Sequence, residues 1–345
     1  MTTLLNNQVV IDPPSAQSPL SHTRTVDRGL VHRAALGEVF LTDIRAIDAV
    51  HYLAAAQLPR SHHYWGDHLL SPAAYDPVLL LEVCRQAALA GAHQCYGVPD
   101  PDKVILTHHG LNISAPELLR AGPAPAALTA RVETTNRRER DGAVMGLDFV
   151  IDLMLDGSEI ARSEIGLRFK SPTDYAALRL RGRGGTVPIS TAMMPEAGAG
   201  RLPPPYLVGR HLPANILLLD PKATARSASA TLRIAGDHPS LFDHPQDHIP
   251  GMVLVEAGRQ LALYTVREQL GLATSKTRVV AMTASYQRFG ELEPETRLDA
   301  VLSVSDDAEA SLALTENLPV RAEITASQDG EPICGMSFQL EKDSR

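Results

Sequence analysis

Asp76-Pro-Val-Leu-Leu-Leu-Glu82-Val-Cys-Arg85-Gln86-Ala-Ala-Leu89 and Pro250-Gly-Met-Val-Leu-Val-Glu256-Ala-Gly-Arg259-Gln260-Leu-Ala-Leu263 are two copies of one unusual helix. Each is apolar on nearly every side, the pattern of a buried helix. Each still carries Glu, then Arg at the third position onward and Gln at the fourth, and such positions share one helix face. A buried charge without a partner costs several kcal/mol. Two readings follow: a polar cavity that the protein uses, or an inner brace made by each Glu–Arg pair. The repetition, with polar loops beside both helices, favours the cavity.

The copies belong to a longer duplication. Val31-His-Arg33 with Asp43 matches Val208-Gly-Arg210 with Asp220 at a spacing of 177 positions. Glu82 and Glu256 lie 174 apart, and Asp156-Gly157 and Asp329-Gly330 lie 173 apart. Small loop deletions produce such a drift. In each half a strand-like lead is followed by a His/Asp loop, the helix, and then alternating segments such as 127–133 and 145–154. Those alternations predict strands of period two. The Asp-Gly pairs predict hairpin turns, where Gly supplies positive φ. One long helix followed by antiparallel strands is an α+β unit. Two sheets should therefore lie side by side, each curled around its helix.

The chain has 345 residues, 44% hydrophobic and only 4% aromatic, with a net charge of −8. Two domains fit that length. The acidic balance argues against nucleic-acid binding, which needs a basic surface. No apolar run approaches the 20 or so residues of a membrane span. The N-terminus lacks the basic start and apolar core of a secretory signal. Cys84, Cys95 and Cys334 have no CxxC spacing, and Cys84 reads as core. A reduced, cytoplasmic protein is expected. The expected division is a disordered N-terminal segment 1–27, domain 28–170, linker 171–205 and domain 206–341. The Gly- and Pro-rich linker, with Arg179, Arg181 and Arg183 at its start, reads as a solvated connector.

The string His238-Pro-Ser-Leu-Phe-Asp-His-Pro-Gln-Asp247-His248-Ile-Pro250-Gly251-Met, followed by Glu256-Ala-Gly-Arg259-Gln260, resembles the A-factor synthase (AfsA) family. These are γ-butyrolactone and furan autoregulator synthases. A degenerate copy runs from His62 to Asp67-His68 before Glu82. The resemblance covers roughly residues 28–170 and 205–340. It implies a double hot-dog fold, two tandem units each with an antiparallel sheet wrapped around a long buried helix. It also implies transfer of a β-ketoacyl group from an acyl-carrier-protein thioester to dihydroxyacetone phosphate, and no cofactor. The Pro-Gly-x4-Glu-Ala core also resembles hot-dog dehydratases. Their catalytic His would fall at Phe242 here, which counts against dehydratase chemistry. A thioester hydrolase and a non-catalytic acyl-binding protein are the competing readings. The internal pair of units makes a monomer natural, with a homodimer as the alternative.

Acyl transfer needs a polarised carbonyl, a base and a cation for the phosphate. Free N–H groups at a helix start polarise a carbonyl. Pro250-Gly251 opens the second helix, and Gly251 would let a carbonyl approach closely. Asp76-Pro77 opens the first with a carboxylate nearby. The two sites should therefore be unequal, with the thioester at the second helix. Glu256 or Glu82, raised in pKa by burial, could serve as base. Arg259 or Arg85 would take the phosphate, since the Arg fork suits it. Gln86 and Gln260 hold substrate oxygens or satisfy backbone groups. Asp247 and His248 orient the helix start and contact substrate. A metal is not expected, because Pro245 interrupts the His244/His248 spacing. Arg137-Arg138-Glu139-Arg140 is a candidate dock for an acidic carrier protein.

Overall fold

Twelve antiparallel strands form one continuous sheet in the computed structural model, which describes residues 20–194, 200–303 and 319–343. The first half supplies β1 (Leu41–Ala46), β2 (His51–Leu58), β3 (Lys103–Ile113), β4 (Ala126–Arg140), β5 (Ala143–Leu155) and β6 (Ser158–Lys170). The second supplies β7 (Leu218–Ala223), β8 (Ala228–Leu232), β9 (Thr277–Tyr286), β10 (Arg297–Ser303), β11 (Val320–Gln328) and β12 (Glu331–Lys342). Spatial order is β1-β2-β4-β5-β6-β3 in one half and β7-β8-β10-β11-β12-β9 in the other. The halves meet where β3 pairs antiparallel with β9, from His108 opposite Ser285 to Asn112 opposite Ala281. This is the double hot-dog α+β fold that the resemblance implies, with the two side-by-side sheets expected from the duplication joined into one.

The quoted stretches form α1 (Pro77–Tyr96) and α3 (Gly251–Leu270), each packed against its own half's strands. Asp76 caps α1 by accepting the Val78 N–H at 2.8 Å, and Pro77 occupies the first turn, where its missing N–H costs nothing. Gly97 and Gly271 end the two helices in the left-handed conformation. The small residues let the helices lie close to the sheet. A Cβ on Gly91 would fall 2.2 Å from the Tyr52 hydroxyl, which donates to Ala87 O. Asp156-Gly157 and Asp329-Gly330 have positive φ at both positions and turn β5 into β6 and β11 into β12. Cys84 is fully buried, and burial pushes its thiol up to about 12, as a core residue requires.

The segment 171–205 differs from the connector expected. It contains α2 (Pro172–Gly182), capped by Ser171, whose side chain accepts the Asp174 N–H. Arg179 is 2% exposed and ion-pairs with Glu291, and Arg183 pairs with Glu291 and Glu293. Arg179 and Arg183 sit four apart on one helix face, while Arg181 points to solvent. Local composition could not reveal the acidic partners more than 100 positions away. Of the expected N-terminal segment 1–27, residues 1–19 lie outside the described residues. Residues 20–27 run beside β1, where Ser21 N–H donates to Asp43 and Val26 N–H to Leu41 O.

Candidate active site

Both helices place their Glu, Arg and Gln on one face, and each Glu meets two arginines. Arg33 donates to Glu82 from Nε at 3.1 Å, Arg85 from Nε at 2.8 Å and Gln86 from Nε2 at 2.8 Å. In the second half Arg210 donates to Glu256 at 3.0 Å, Arg259 at 2.9 Å and Gln260 at 2.6 Å. Gln86 accepts from Phe40 N–H and donates to Glu38 O. Gln260 does the same with Leu217 N–H and Asn215 O. Both amides thus satisfy backbone groups, one of the two roles open for them. In the sequence, Arg33 and Arg210 stand only as markers of the duplication. Their recurrence at the 177 spacing is the signal for a role.

Burial pushes the Glu82 carboxyl up, but Arg33 and Arg85 outweigh it and bring it down to about 2. Glu82 is therefore a charged anchor, with a basicity opposite to the raised one expected. Arg259 is raised in turn, because Asp76 and Glu256 outweigh the burial that opposes its charge.

The halves then diverge at one atom. Arg259 Nη1 donates to both carboxylate oxygens of Asp76, at 3.2 and 3.0 Å, while Asp76 Oδ1 also caps α1. A side chain thus fills the space between the α1 N-terminus and the arginine of α3. Asp76 is 1% exposed and Arg259 5%. The equivalent residue before α3 is Pro250, which makes no side-chain cap. Arg85, opposite it, uses Nε and Nη2 for Glu82 and Val31 O, and its Nη1 has no hydrogen bond among the described residues.

A cavity of about 760 Å³ opens there. Its polar lining includes Arg33, Arg85, Lys103 and His248 together with the carboxylates of Asp100, Asp102, Asp243 and Asp247, and Leu89, Val104, Leu106, Leu167 and Met252 are among its apolar residues. Pro250 and Gly251 bring the α3 N-terminus to it. Of the site residues named from sequence, Arg85, Gly251, Asp247 and His248 line this cavity. Glu82, Gln86, Glu256, Arg259 and Gln260 do not. Gly251 has a tighter reason than substrate access: a Cβ there would lie 2.7 Å from the Tyr286 hydroxyl, which donates to Gly251 O at 3.0 Å.

Two acid–histidine pairs border the cavity. His248 Nδ1 lies 2.7 Å from Asp247 Oδ1, and the Tyr175 hydroxyl donates to the same carboxylate at 2.9 and 3.1 Å. His248 Nε2 has no hydrogen bond among the described residues. His244 differs, because Asp243 takes Nδ1 at 2.6 Å and Gln246 takes Nε2 at 2.6 Å. Asp243 also accepts the Ala34 N–H, so the second half's loop grips the segment bearing Arg33. Asp67 does the reciprocal job by accepting from His211 and Leu212 N–H. Asp243 and Asp247 are each held down to about 2, against the effect of burial, by hydrogen bonds and by neighbouring charge. Phe242, at the dehydratase histidine position, is core.

Residues 15–171 and 196–341 match the family described as AfsA, the A-factor biosynthesis hotdog domain. The chain belongs to the AfsA family. Among its relatives is a 2-oxo-3-(phosphooxy)propyl 3-oxoalkanoate synthase of Streptomyces virginiae. It is 33% identical over 297 residues, which cover 85% of this chain and 93% of that one. A protein of the same name from Streptomyces griseus is 27% identical over 330 residues, covering 94% and 95%. Solved structures share the fold. An oleoyl thioesterase of Lactobacillus plantarum aligns with a TM-score of 0.51 at 12% identity, over 86% of this chain and 98% of that one. A pyran synthase domain of the sorangicin pathway aligns at 0.50 and 11%, over 89% and 98%. In this AfsA-family chain, α2 falls between the two matched segments.

Proposed function

We propose that this protein is an acyltransferase that condenses a β-ketoacyl thioester, carried by an acyl carrier protein, with dihydroxyacetone phosphate. The product is an ester precursor of a γ-butyrolactone- or furan-type signal. The relatives' names describe synthases of such a phosphorylated oxoalkanoate ester. One observation carries the reading: one open cavity joins the bare N-terminus of α3 to His248 Nε2 and Arg85 Nη1, neither of which has a hydrogen bond among the described residues.

The thioester carbonyl lies under the first N–H groups of α3, which have no acceptor within the helix. His248 Nε2 takes the proton of the acceptor hydroxyl as that oxygen attacks the carbonyl carbon. The new C–O bond forms, the C–S bond breaks, and the proton passes to the leaving thiolate. Asp247 keeps the Nδ1 proton in place. Arg85 Nη1 holds the acceptor phosphate, with Lys103 adding charge at the cavity edge. Asp76 offers an internal likeness: one oxygen rests on both a helix N–H and an arginine, the other on the arginine alone. The apolar wall takes the acyl chain. The exposed Arg138 and Arg140 on β4 suit an acidic carrier protein. The chain acts as a monomer, because the pair of units is already within it.

Mass spectrometry of the protein with a β-ketoacyl carrier-protein thioester, with and without dihydroxyacetone phosphate, tests this. A phosphorylated ester, or its cyclised product, should appear only with the acceptor. Free β-keto acid in both samples would mean hydrolysis and sink the transfer reading.

A further inference from the structure

We infer that α2, the helix between the two hot-dog units, is part of the active site, and that Tyr175 and Arg179 are positioning residues that set the Asp247–His248 pair. This rests on the reading of His248 as the base.

Three contacts converge on Asp247 from α2. The Tyr175 hydroxyl donates to its carboxylate. Arg179 Nη2 donates to its backbone carbonyl at 2.8 Å, and Arg179 Nε lies 3.4 Å from its Oδ2. Arg179 is itself fixed by two bonds to Glu291 and by stacking over Phe289, 4.3 Å from the ring centre. Phe289 meets the His248 ring edge-on at 5.3 Å. Both faces of the pair are therefore fixed by residues outside its own loop. Among the described residues, no α-helix precedes the first half as α2 precedes the second. A connector would need none of this: a buried arginine in an ion-pair network is costly to place and has to be matched.

The chemistry follows from charge. His248 meets Asp247 on its own loop and Tyr175 on α2, with Arg179 on the far side of Asp247 and balanced by Glu291; Arg85, Lys103, Asp100, Asp102 and His244 line the same cavity. The tyrosine proton and the guanidinium both draw negative charge from Asp247. Removing either leaves more charge to bind the His248 imidazolium, so the imidazole becomes more basic and less oriented.

The test is the imidazole titration of His248 by NMR, read beside kcat and KM for Tyr175→Phe, Arg179→Lys and His248→Ala. Tyr175→Phe should keep its melting temperature and move the titration upward by about half a pH unit. It should lower kcat about tenfold with little change in KM for the acyl donor. Arg179→Lys keeps the charge and should fall between wild type and Tyr175→Phe. In a His248→Ala background, Tyr175→Phe should change nothing further. An unmoved titration in both α2 variants overturns the inference. A moved titration with full activity in His248→Ala leaves the coupling standing and overturns the reading of His248 as base.

Discussion

The first and second helices share a carboxylate between two arginines, yet one arrangement is closed and the other open. The difference is what precedes each helix. Asp76 reaches across to Arg259, whereas Pro250 makes no such cap and Arg85 Nη1, beside a cavity, has no hydrogen bond among the described residues. The lesson is that one capping position can make two copies of a repeated polar motif unequal. Burial alone would have ranked Glu256 and Arg259 as the reactive pair. Asp76 ties Arg259 to the start of α1, and neither Glu256 nor Arg259 lines the cavity, so that pair is the less available one.

Substitutions should separate the halves. Arg259→Ala leaves Asp76 and Glu256 buried with fewer partners. It should cost about 3–5 kcal/mol, seen as a large fall in the urea midpoint. If that variant melts normally and loses only activity, the closed half is no brace.

Acid should expose the shared design next. Glu82 is fully buried and its folded pKa is lowered from 4.5 to about 2. The group is depressed, so its contribution is complete above about pH 4.5 and is lost as pH falls toward 2. The lost stability should be about 3 kcal/mol. Glu82→Gln should flatten that part of the stability profile. An unchanged slope would mean the pairing contributes little.

Arg85→Ala should have the smallest effect on folding, since its side chain is partly exposed and Arg33 still holds Glu82. It should raise KM for the phosphorylated acceptor about tenfold or more, with a smaller change for the acyl donor. Equal changes in both constants would remove the phosphate role.

Much of this is legible in the amino-acid sequence. The i, i+3, i+4 spacing places Glu, Arg and Gln on one buried face, and the Asp-Gly pairs turn where expected. The inequality of the two helix starts is legible too, because a carboxylate before one helix and Pro-Gly before the other have different capping chemistry. What cannot be read is long-range. Arg33 reaches Glu82 across 49 positions and Arg179 reaches Glu291 across 112. No local pattern reports a partner that distant. The direction of the Glu82 shift depends on the second arginine, which only the fold supplies. The α2 helix resembles a connector in composition because its acidic partners lie in another half of the chain.

The seam between β3 and β9 gives the protein a property that a pair of identical subunits lacks. Two copies of one chain must change together, so a plug at one helix start would appear at both and close every mouth. Here the copies are fused into one sheet and their codons are independent. Asp can stand at one helix start and Pro-Gly at the other. The expected consequence of the proposed site is one ligand bound per chain, countable by calorimetric titration, from a scaffold with twofold ancestry.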